Sequence, residues 1–452
     1  MCKINLRKVR TGVLKGGKMN LNLLLSVGDI TSKIVPLLIA VLFFGLIIFI
    51  HELGHFIFAK AFGVKVNEFA LVMGPTIFKK QGKETKYALR LFPVGGFVSM
   101  EGEEEESEDN RAFCNQKPWK RMIILAAGAT FNLILGFIVC IFLVGSEEFV
   151  GTNTILQFYE GSVSSSQLKE KDEILEIDGK RIFSDYDISF LMQRNGSGKY
   201  DFVVERDGEK LELKEVPFAK RTSGNFSYDE KCEINSVSAK LKKAGLKDGD
   251  VITSVNGEKV ATGEELIATI QADKDYIYNL TVNREGKNHK FENVEFMTAT
   301  VFDFIVLGED KNVFNVLEGA FGYALSMGRM VYLSLFDLLR GQYGFNDLAG
   351  PIGTISVITD IAEESVSTTN WSQLFMIMAM ITINIGLFNL LPVPALDGGH
   401  LFFIFIELII RKPIPQKYET WIHAAGLVIL LGFMAIISAS DLYKWISGIG
   451  FY

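Results

Sequence analysis

The sequence predicts a polytopic α-helical membrane protein with four spans, a β-hairpin region after the first span, and two tandem α+β domains outside the membrane. Three observations support this fold class. Hydrophobic residues make up 48% of the 452-residue chain, which is high for a purely soluble protein. Four segments contain the run of about 20 predominantly apolar residues that a membrane-spanning helix needs. A long polar block between the second and third segments contains an internal repeat.

The four apolar segments lie at about 34–61, at about 121–145, at about 372–391 with a broken continuation to about 410, and at about 422–439. The first run continues well beyond the length of a signal peptide without a small-residue cleavage site. The first span should therefore remain as an anchor. Residues 1–18 are basic and precede a second methionine, Met19, so they could belong to a start assigned too early.

The first span contains HELGH at residues 51–55. Residues four apart share one face of a helix, so His51 and His55 can bind one Zn²⁺ while Glu52 lies beside the open coordination position. Zinc lowers the pKa of its bound water, and a neighbouring carboxylate can carry the proton to a leaving amine. Such residues are costly in lipid unless they are paired or ligated, which disfavours an accidental match. The motif predicts a catalytic zinc site inside the membrane.

The segment of about 64–100 differs from the spans around it. It is rich in β-forming residues and is interrupted by Gly74-Pro75, Gly82 and Gly95-Gly96, which predicts hairpins directly after the zinc motif. A sheet edge at this place could hold an unwound substrate, or the sheet could simply pack against the membrane surface. The acidic run at 101–109 that follows is interpreted as a solvated loop.

The polar block between the second and third spans contains two copies of one unit. Leu168 recurs as Leu246 and Asp178 recurs as Asn256, a spacing of 78 residues in both cases. Two copies indicate two small domains rather than a solenoid, which needs three or more units. Each copy reads as short β runs, a tight turn, a short helix and a further hairpin.

The second copy resembles the core of PDZ domains through KAGLKDGDVI at residues 243–252. The first copy is more degenerate, because it lacks the Ala-Gly before its leucine. Domains of this kind typically bind an extended peptide as an added strand at an open sheet edge. The alternative is that the two copies are rigid spacers or size filters that bind no peptide.

Asp397 is the candidate for the third zinc ligand, since catalytic zinc sites generally have three protein ligands and a water. Prolines and glycines interrupt the apolar sequence at 389–400. Irregular backbone at membrane depth is tolerated only where it is buried in protein or lines a cavity. The alternative is an ordinary interfacial turn between two helices.

Other polar residues near the spans are ambiguous. Asn132 could support the zinc site or serve helix packing in lipid. His400 could contact the site or lie at the interface, and His423 is expected at the level of the lipid headgroups. Glu407 and Arg411 are four apart on a helix and are expected to pair with each other.

Three motifs in order, HELGH at 51–55, GATFN at 128–132 and LDG at 396–398, resemble the site-2 protease family of the bacterial regulator-of-sigma-E protease type. The resemblance extends from about Val35 to the last span. The second motif lacks the proline common after its glycine, and two PDZ-like copies exclude relatives with one. Neither departure affects the metal ligands.

This resemblance implies that His51, His55 and Asp397 hold zinc and that Glu52 is the base. It implies that Asn389 helps to hold the substrate backbone near the zinc, and Asn132 is a further candidate for substrate contact. The implied substrates are single-span membrane proteins already shortened by another protease, such as anti-sigma factors or remnant signal peptides. The implied location is the bacterial cytoplasmic membrane.

Geometry restricts the topology. The histidines and Asp397 reach the same depth only if the first and third spans point the same way, so the second span must be the one crossing between them. The apolar segment Phe314–Arg340 is therefore interpreted as an amphipathic helix at the interface. The Lys and Arg residues of the 62–120 loop place it in the cytoplasm and the repeats outside. Residues 1–18 contradict this orientation unless translation begins at Met19.

These interpretations divide the chain into eight parts. They are 19–63 with the first span and zinc motif, 64–118 with the hairpin and acidic loop, 119–145 with the second span, 146–223 and 224–300 with the PDZ-like domains, 301–370 with the amphipathic region, 371–412 with the broken third span, and 413–452 with the fourth span.

Composition limits the function classes. A formal net charge of −7 provides no basic surface for a nucleic-acid partner. One alternative is a non-catalytic membrane adaptor with structural zinc, although a structural site would need four protein ligands. A metal transporter is disfavoured, because polar residues along the spans are too few to line a pathway.

Overall fold

The structure, a computed structural model, describes residues 21–103, 105–223, 225–273, 275–341, 350–412 and 414–446. The basic segment 1–18 lies outside them. By length and composition, four of the described helices could cross a membrane: Ile34–Ala61, Pro118–Ser146, Ser372–Asn389 and Lys417–Leu442. The prediction of a four-span membrane protein is confirmed at this level.

The described helices are α1 (Leu21–Ala61), α2 (Pro118–Ser146), α3 (Asp185–Asn195), α4 (Ala239–Lys243), α5 (Gly263–Ala272), α6 (Val313–Leu339), α7 (Pro351–Thr368), α8 (Ser372–Asn389), α9 (Asp397–Ile410) and α10 (Gln416–Ile446), with a short 3₁₀ turn at Ser164–Ser166. The described strands are β1 (Val66–Gln81), β2 (Lys86–Met100), β3 (Val150–Phe158), β4 (Glu173–Ile177), β5 (Lys180–Arg181), β6 (Lys199–Arg206), β7 (Glu209–Pro217), β8 (Lys220–Thr222), β9 (Phe226–Tyr228), β10 (Ile234–Val237), β11 (Val251–Val255), β12 (Glu258–Lys259), β13 (Ile277–Arg284), β14 (Lys287–Glu295), β15 (Thr298–Thr300) and β16 (Phe304–Glu309).

Helix α2 is the centre of the membrane part and packs against α1, α6, α8 and α9. Small residues allow these helices to approach closely, as is usual in lipid, where no hydrophobic force drives helices together. A Cβ atom on Gly54 of α1 would lie 2.5 Å from the carbonyl oxygen of Ala127 on α2. A Cβ atom on Gly136 of α2 would lie 2.5 Å from Ile383 on α8. This packing brings the HELGH turn of α1 against the middle of α2.

Strands β1 and β2 form an antiparallel hairpin directly after α1, as the sequence predicts. Glu84 at its turn binds Lys60 at the end of α1 at 2.6 Å and Arg111 at 2.7 Å. The hydrogen bonds from Arg111 and Lys60 lower the pKa of Glu84 to about 2. The tip of the hairpin is thereby tied to the end of the first span.

The two repeats have the same order of elements. The first repeat consists of a hairpin of β4 and β5, helix α3, and a hairpin of β6 and β7. The second repeat has the same order in β11, β12, α5, β13 and β14, and each of these elements starts 78 residues after its counterpart. Their tight turns are also equivalent. Asp178 and Gly179 have φ of 49° and 70°, and Asn256 and Gly257 have φ of 50° and 84°. Two positive φ values in a two-residue hairpin loop define the type I′ turn, which explains Asp-Gly and Asn-Gly at these positions.

Each repeat also has the same buried ion pair. Arg206 binds Asp172 through two hydrogen bonds of 2.6 and 2.7 Å, and Arg284 binds Asp250 at 2.6 and 2.8 Å. Both aspartates are fully buried. Burial alone would raise the pKa of Asp250, but the hydrogen bonds from Arg284 and from the Lys247 amide outweigh it and hold that pKa below its usual range.

Helix α6 connects the first repeat to the membrane helices. It packs on α2 and α8, and its Asp337, fully buried, receives two hydrogen bonds of 2.5 and 2.6 Å from Arg194 of α3. Arg329 of α6 forms a salt bridge with the buried Asp187 and donates a hydrogen bond to the backbone carbonyl of Arg181. This helix is not among the four candidate spans. Its place at the interface stays a prediction.

Helix α7 has no counterpart in the sequence analysis. It begins at Pro351, which suits the first turn of a helix because the missing N–H has no partner there in any case. Its Ile358 and Ala362 are buried against Ala40 of α1 and Leu374 of α8. The region 301–370 therefore contains a second helix packed into the bundle.

Candidate metal centre

Three predicted ligand residues meet at one point between α1, α2 and the start of α9. The Nε2 atoms of His51 and His55 lie 3.2 Å apart. The Oδ2 atom of Asp397 lies 3.1 Å from the first and 3.3 Å from the second. Residues separated by more than 340 positions in the sequence thus form a triangle of ligand atoms.

Each histidine is oriented through its other ring nitrogen. His55 Nδ1 lies 2.8 Å from the backbone carbonyl oxygen of Ile124, to which it donates. Its Nε2 atom then carries the lone pair that a metal needs. His51 Nδ1 lies 3.4 Å from the side-chain amide of Asn132, a residue with no exposed surface. Both of these contacts come from α2, so the packing of α2 against the zinc motif orients the two histidine rings.

Gly128 gives the histidine rings their space on α2. A Cβ atom on Gly128 would overlap His55 Nε2 and lie 2.9 Å from Cε1 of His51. The first residue of the GATFN motif is therefore required by close approach and not only by helix packing.

The three residues fit zinc. In a tetrahedral site with bonds of about 2.0–2.1 Å, neighbouring ligand atoms lie about 3.3 Å apart. The observed separations of 3.1, 3.2 and 3.3 Å match the edges of such a tetrahedron. Asp397 Oδ2 is buried, and it accepts no hydrogen bond from the described residues. Acceptor atoms held this closely repel one another unless a metal cation or a proton lies between them, and zinc removes the repulsion for all three at once.

Asp397 is placed by the interruption of the third span. Helix α8 ends at Asn389, and α9 begins at Asp397, so the residues between them form the irregular segment that the sequence predicts. A Cβ atom on Gly398 would overlap the carbonyl oxygen of Leu391. The turn can therefore fold back on itself only with glycine after the aspartate.

A cavity of about 630 Å³ opens onto the three ligand residues. Glu52 lines it beside His51, and the end of β2 at 97–100 forms another wall. The acidic run also borders this cavity: Glu105 and Glu106 are solvent-exposed and line it, whereas Glu101 is half-buried and bonded to Lys65 and Asn67. Glu52 and the three ligand residues thus line one cavity that a substrate could enter.

The two predicted substrate-binding residues have different surroundings. Asn389 is the last residue of α8, is half-buried, and makes no side-chain hydrogen bond within the described part of the chain. Asn132 is fully buried against His51, and its Oδ1 has no partner among the described residues. The structure gives Asn132 a contact with a ligand residue, whereas a contact of either residue with substrate stays a prediction.

One expected pair is wrong. Glu407 binds Arg121 of α2 at 2.6 Å and not Arg411. Arg411 stands at the end of α9 with φ of 57°, which turns the chain away from the helix axis. Since the two partners lie 286 positions apart, spacing along one helix could not reveal the pair.

His400 and His423 form a cluster that sequence reasoning separated. Their rings stack with centroids 3.6 Å apart, and His400 Nδ1 lies 2.7 Å from Glu419. His423 is buried, with 9% of its surface exposed, while its depth at the lipid headgroups stays a prediction. Part of this cluster was predictable from the sequence, because Glu419 and His423 are four residues apart and therefore share one face of α10.

The chain is similar to known metalloproteases over most of its length. The family model described as Peptidase family M50 matches residues 39–433. A Fusobacterium nucleatum protein, named provisionally as a zinc metalloprotease, is 31% identical over 413 residues, covering 90% of this chain and 98% of its own length. The regulator of sigma-W protease of Bacillus subtilis is 27% identical, covering 89% and 97%. A zinc metalloprotease of Geobacillus kaustophilus is 27% identical, covering 89% and 96%.

Proposed function

The chain belongs to peptidase family M50 and is a zinc metalloprotease of the membrane, and we propose that it cuts single-span membrane proteins within the bilayer. The observation that carries the proposal is the triangle of ligand atoms from His51, His55 and Asp397. Its edges have the length that zinc requires, and Glu52 lines the cavity beside it.

The proposed mechanism assigns each residue one task. His51, His55 and Asp397 hold zinc, which when bound polarises the scissile carbonyl and lowers the pKa of water. Glu52 accepts a proton from the attacking water and passes it to the leaving amine. His51 must then carry its proton on Nδ1, and a half-turn of the Asn132 amide brings Oδ1 to accept it. This orientation also satisfies the oxygen atom that has no other partner.

The substrate must be unwound at the cut, because the amides of an intact membrane helix are already hydrogen-bonded within it. Asn389 has a side chain without a hydrogen bond in the described part of the chain, which supports its proposed contact with an unwound backbone. The substrate class is single-span proteins shortened by a first protease, such as anti-sigma factors or remnant signal peptides. The name of the Bacillus relative, a regulator of sigma-W protease, supports a substrate that acts on a sigma factor.

The proposed location is the bacterial cytoplasmic membrane, with the hairpin region inside and the two repeats outside. The equivalent turns and ion pairs of the repeats support two copies of one PDZ-like domain with the boundaries 146–223 and 224–300. These domains either bind the new end of a shortened substrate or exclude proteins with bulky outer domains. The remaining boundaries are proposed as the sequence predicts them, except that β16, in the region 301–370, pairs with β3 and extends the sheet of the first repeat.

A Glu52→Gln variant tests the mechanism. We expect the purified variant to retain one zinc per chain and to lose cleavage of a helical membrane substrate, because only the proton carrier is removed. The wild-type protein is the matched control, and its activity should disappear when a chelator removes the zinc. Equal cleavage by both proteins contradicts the role of Glu52. Zinc bound without cleavage by either protein favours the membrane adaptor.

A further inference from the structure

The segment before Asp397 contains a strained residue. Ala395 has φ of 75°, a left-handed conformation that a residue with a side chain rarely adopts. Such a conformation persists only where the surrounding structure holds it. The backbone amide of Ala395 donates a hydrogen bond to Nδ1 of His423, at 3.1 Å. His423 lies on α10, so the last span fixes the segment that presents the third ligand.

The contact of His423 with Ala395 belongs to one face of α10, and other residues on that face pack against the same segment. Glu419, His423 and Gly426 follow one another at intervals of four and three residues, which places them on that face. A Cβ atom on Gly426 would overlap Pro394 and lie 3.0 Å from its carbonyl oxygen. The segment therefore rests directly on the backbone of α10 next to the His423 contact.

The ring of His423 is itself held in place. His400, on the first turn of α9, stacks on it with an interplanar angle of 17°, and Glu419 binds His400 Nδ1. The backbone of Gly399 also packs against the ring, since a Cβ atom there would lie 2.9 Å from Cε1 of His423. The acceptor atom of His423 thus has little freedom to leave the Ala395 amide.

We propose that His423 is a positioning residue for zinc, acting through the Ala395 amide to hold Asp397 at the distance that the two histidines require. The proposal rests on the proposed role of Asp397 as a ligand. Helix α10 contributes none of the three proposed ligands, yet it determines whether the third is in place. Loss of the His423 acceptor frees the strained segment, and Asp397 leaves the triangle.

A second metal site is the competing interpretation of the same cluster. His400, Glu419 and His423 each offer a ligand atom within 4.8 Å of the others. However, the lone pair of His423 Nδ1 is used by the Ala395 amide, so a neutral ring carries its proton on Nε2. Neither nitrogen of His423 then has a free lone pair for a metal. The hydrogen bond favours positioning over ligation.

The test compares zinc affinity of two variants of the full-length protein in detergent, measured by competition with a chromophoric chelator. His423→Phe keeps a ring to stack on His400 but removes the acceptor, and His423→Asn keeps an acceptor near the place of Nδ1. We expect Phe to weaken zinc binding about tenfold or more, as is usual when the partner of a ligand is lost, and Asn to restore most of it.

A third variant separates positioning from general damage. Adding Ala395→Gly to His423→Phe should recover part of the affinity, because glycine adopts positive φ without strain. Ile429→Phe, on the exposed side of α10, is the control for a new aromatic ring and should bind zinc as the wild type does. Each protein is first checked for a single folded species by size-exclusion chromatography.

The outcomes distinguish the inference from the function on which it rests. If His423→Phe binds zinc as tightly as the wild type, and the wild-type protein cleaves its substrate in a zinc-dependent way, only the positioning role is overturned. A wild-type protein that binds no zinc overturns the proposed function instead. Two zinc ions per chain in the wild type, with one lost in His423→Phe, show that the cluster is a metal site and overturn the inference.

Discussion

The backbone of Gly128 lies so close to the ring of His55 that a Cβ atom would stand 2.7 Å from its Cε1 atom. The neighbouring atom, Nε2, is the one that we propose as a zinc ligand. Helix α2 also packs against α6 and α8, and the His55 ring is bonded to the Ile124 carbonyl, so both are restrained where they meet. The size of a single residue on the second span therefore controls the geometry of ligands on the first.

A Gly128→Ala variant should lose most of its zinc affinity and its cleavage activity, because the added methyl group displaces the two histidine rings. Gly145 lies on the same helix with no atom within 4 Å of a Cβ placed there, so Gly145→Ala is the matched control. Zinc per chain, measured by elemental analysis after gel filtration, should fall only in the first variant. Full zinc content in Gly128→Ala would show that the rings can move aside.

Replacement of Asn132 distinguishes support of His51 from contact with substrate. Asn132→Asp keeps an oxygen that can accept from His51 Nδ1, whereas Asn132→Leu removes it at a similar size. We expect the Leu variant to bind zinc about 10- to 100-fold more weakly and the Asp variant to stay close to the wild type. If the Leu variant binds zinc normally and only KM rises, Asn132 acts on the substrate instead.

The ion pair of Arg121 and Glu407 should stabilise the contact of α2 with α9, whose first turn carries Asp397. Its side chains are only 13% and 17% exposed. Arg121→Leu leaves the carboxylate without its partner, which we expect to lower the free energy of unfolding by about 2 kcal/mol. The charge-swapped double variant should recover part of this loss. Thermal unfolding in detergent measures the effect, and Arg411→Gln, at an exposed position, should not change it.

Short spacings made much of the site predictable from the sequence. His51 and His55 are four apart, so helix geometry alone places both on one face. Asp397 was found because prolines and glycines break an apolar stretch, which is costly in lipid without a purpose. The repeat was equally visible, since each element kept the spacing of 78 residues. In these cases helix geometry, the cost of irregular backbone in lipid, or the repeat length leaves a pattern within a few residues or at a fixed interval of the sequence.

Other features depend on which helices become neighbours, and no local pattern contains that information. Glu407 had a plausible partner on its own helix, but α2 brought Arg121 closer. The contact of His423 with Ala395 was not predicted, because it needs the irregular segment to fold back on α10. Helix α7 was missed because its apolar residues are few and its burial comes from α1 and α8.

The equivalent ion pairs predict that each repeat unfolds locally when its own pair is broken. In Asp172→Asn or Asp250→Asn the half-buried arginine loses its counter-charge, which we expect to cost about 2–3 kcal/mol, less than for a fully buried pair because water still reaches the guanidinium. Hydrogen exchange of the full-length protein should show lost protection in the first repeat for one variant and in the second for the other. Protection lost equally in both repeats would instead indicate a single cooperative unit.

The pKa of Asp250 gives this prediction a pH dependence. Because that pKa is held below its usual value in the folded protein, the ion pair stabilises the second repeat at neutral pH. The stabilisation should begin to fall only when the pH drops below the unfolded value of about 4, and it should vanish below the folded value. The Asp250→Asn variant should lack this acid-dependent step in its thermal unfolding. A step of the same size in both proteins contradicts the assignment to Asp250.

Cysteine labelling tests the orientation in the membrane. In a chain whose four native cysteines are replaced by serine, Lys79→Cys on the hairpin and Lys214→Cys on the first repeat each add one exposed thiol. An impermeant maleimide applied to spheroplasts should label position 214 directly and position 79 only after the membrane is opened. The reverse pattern would place the hairpin outside. The hairpin follows the zinc motif directly, so the expected labelling would place the zinc nearer the cytoplasmic face. The cut that follows the first protease would then release its product on that side.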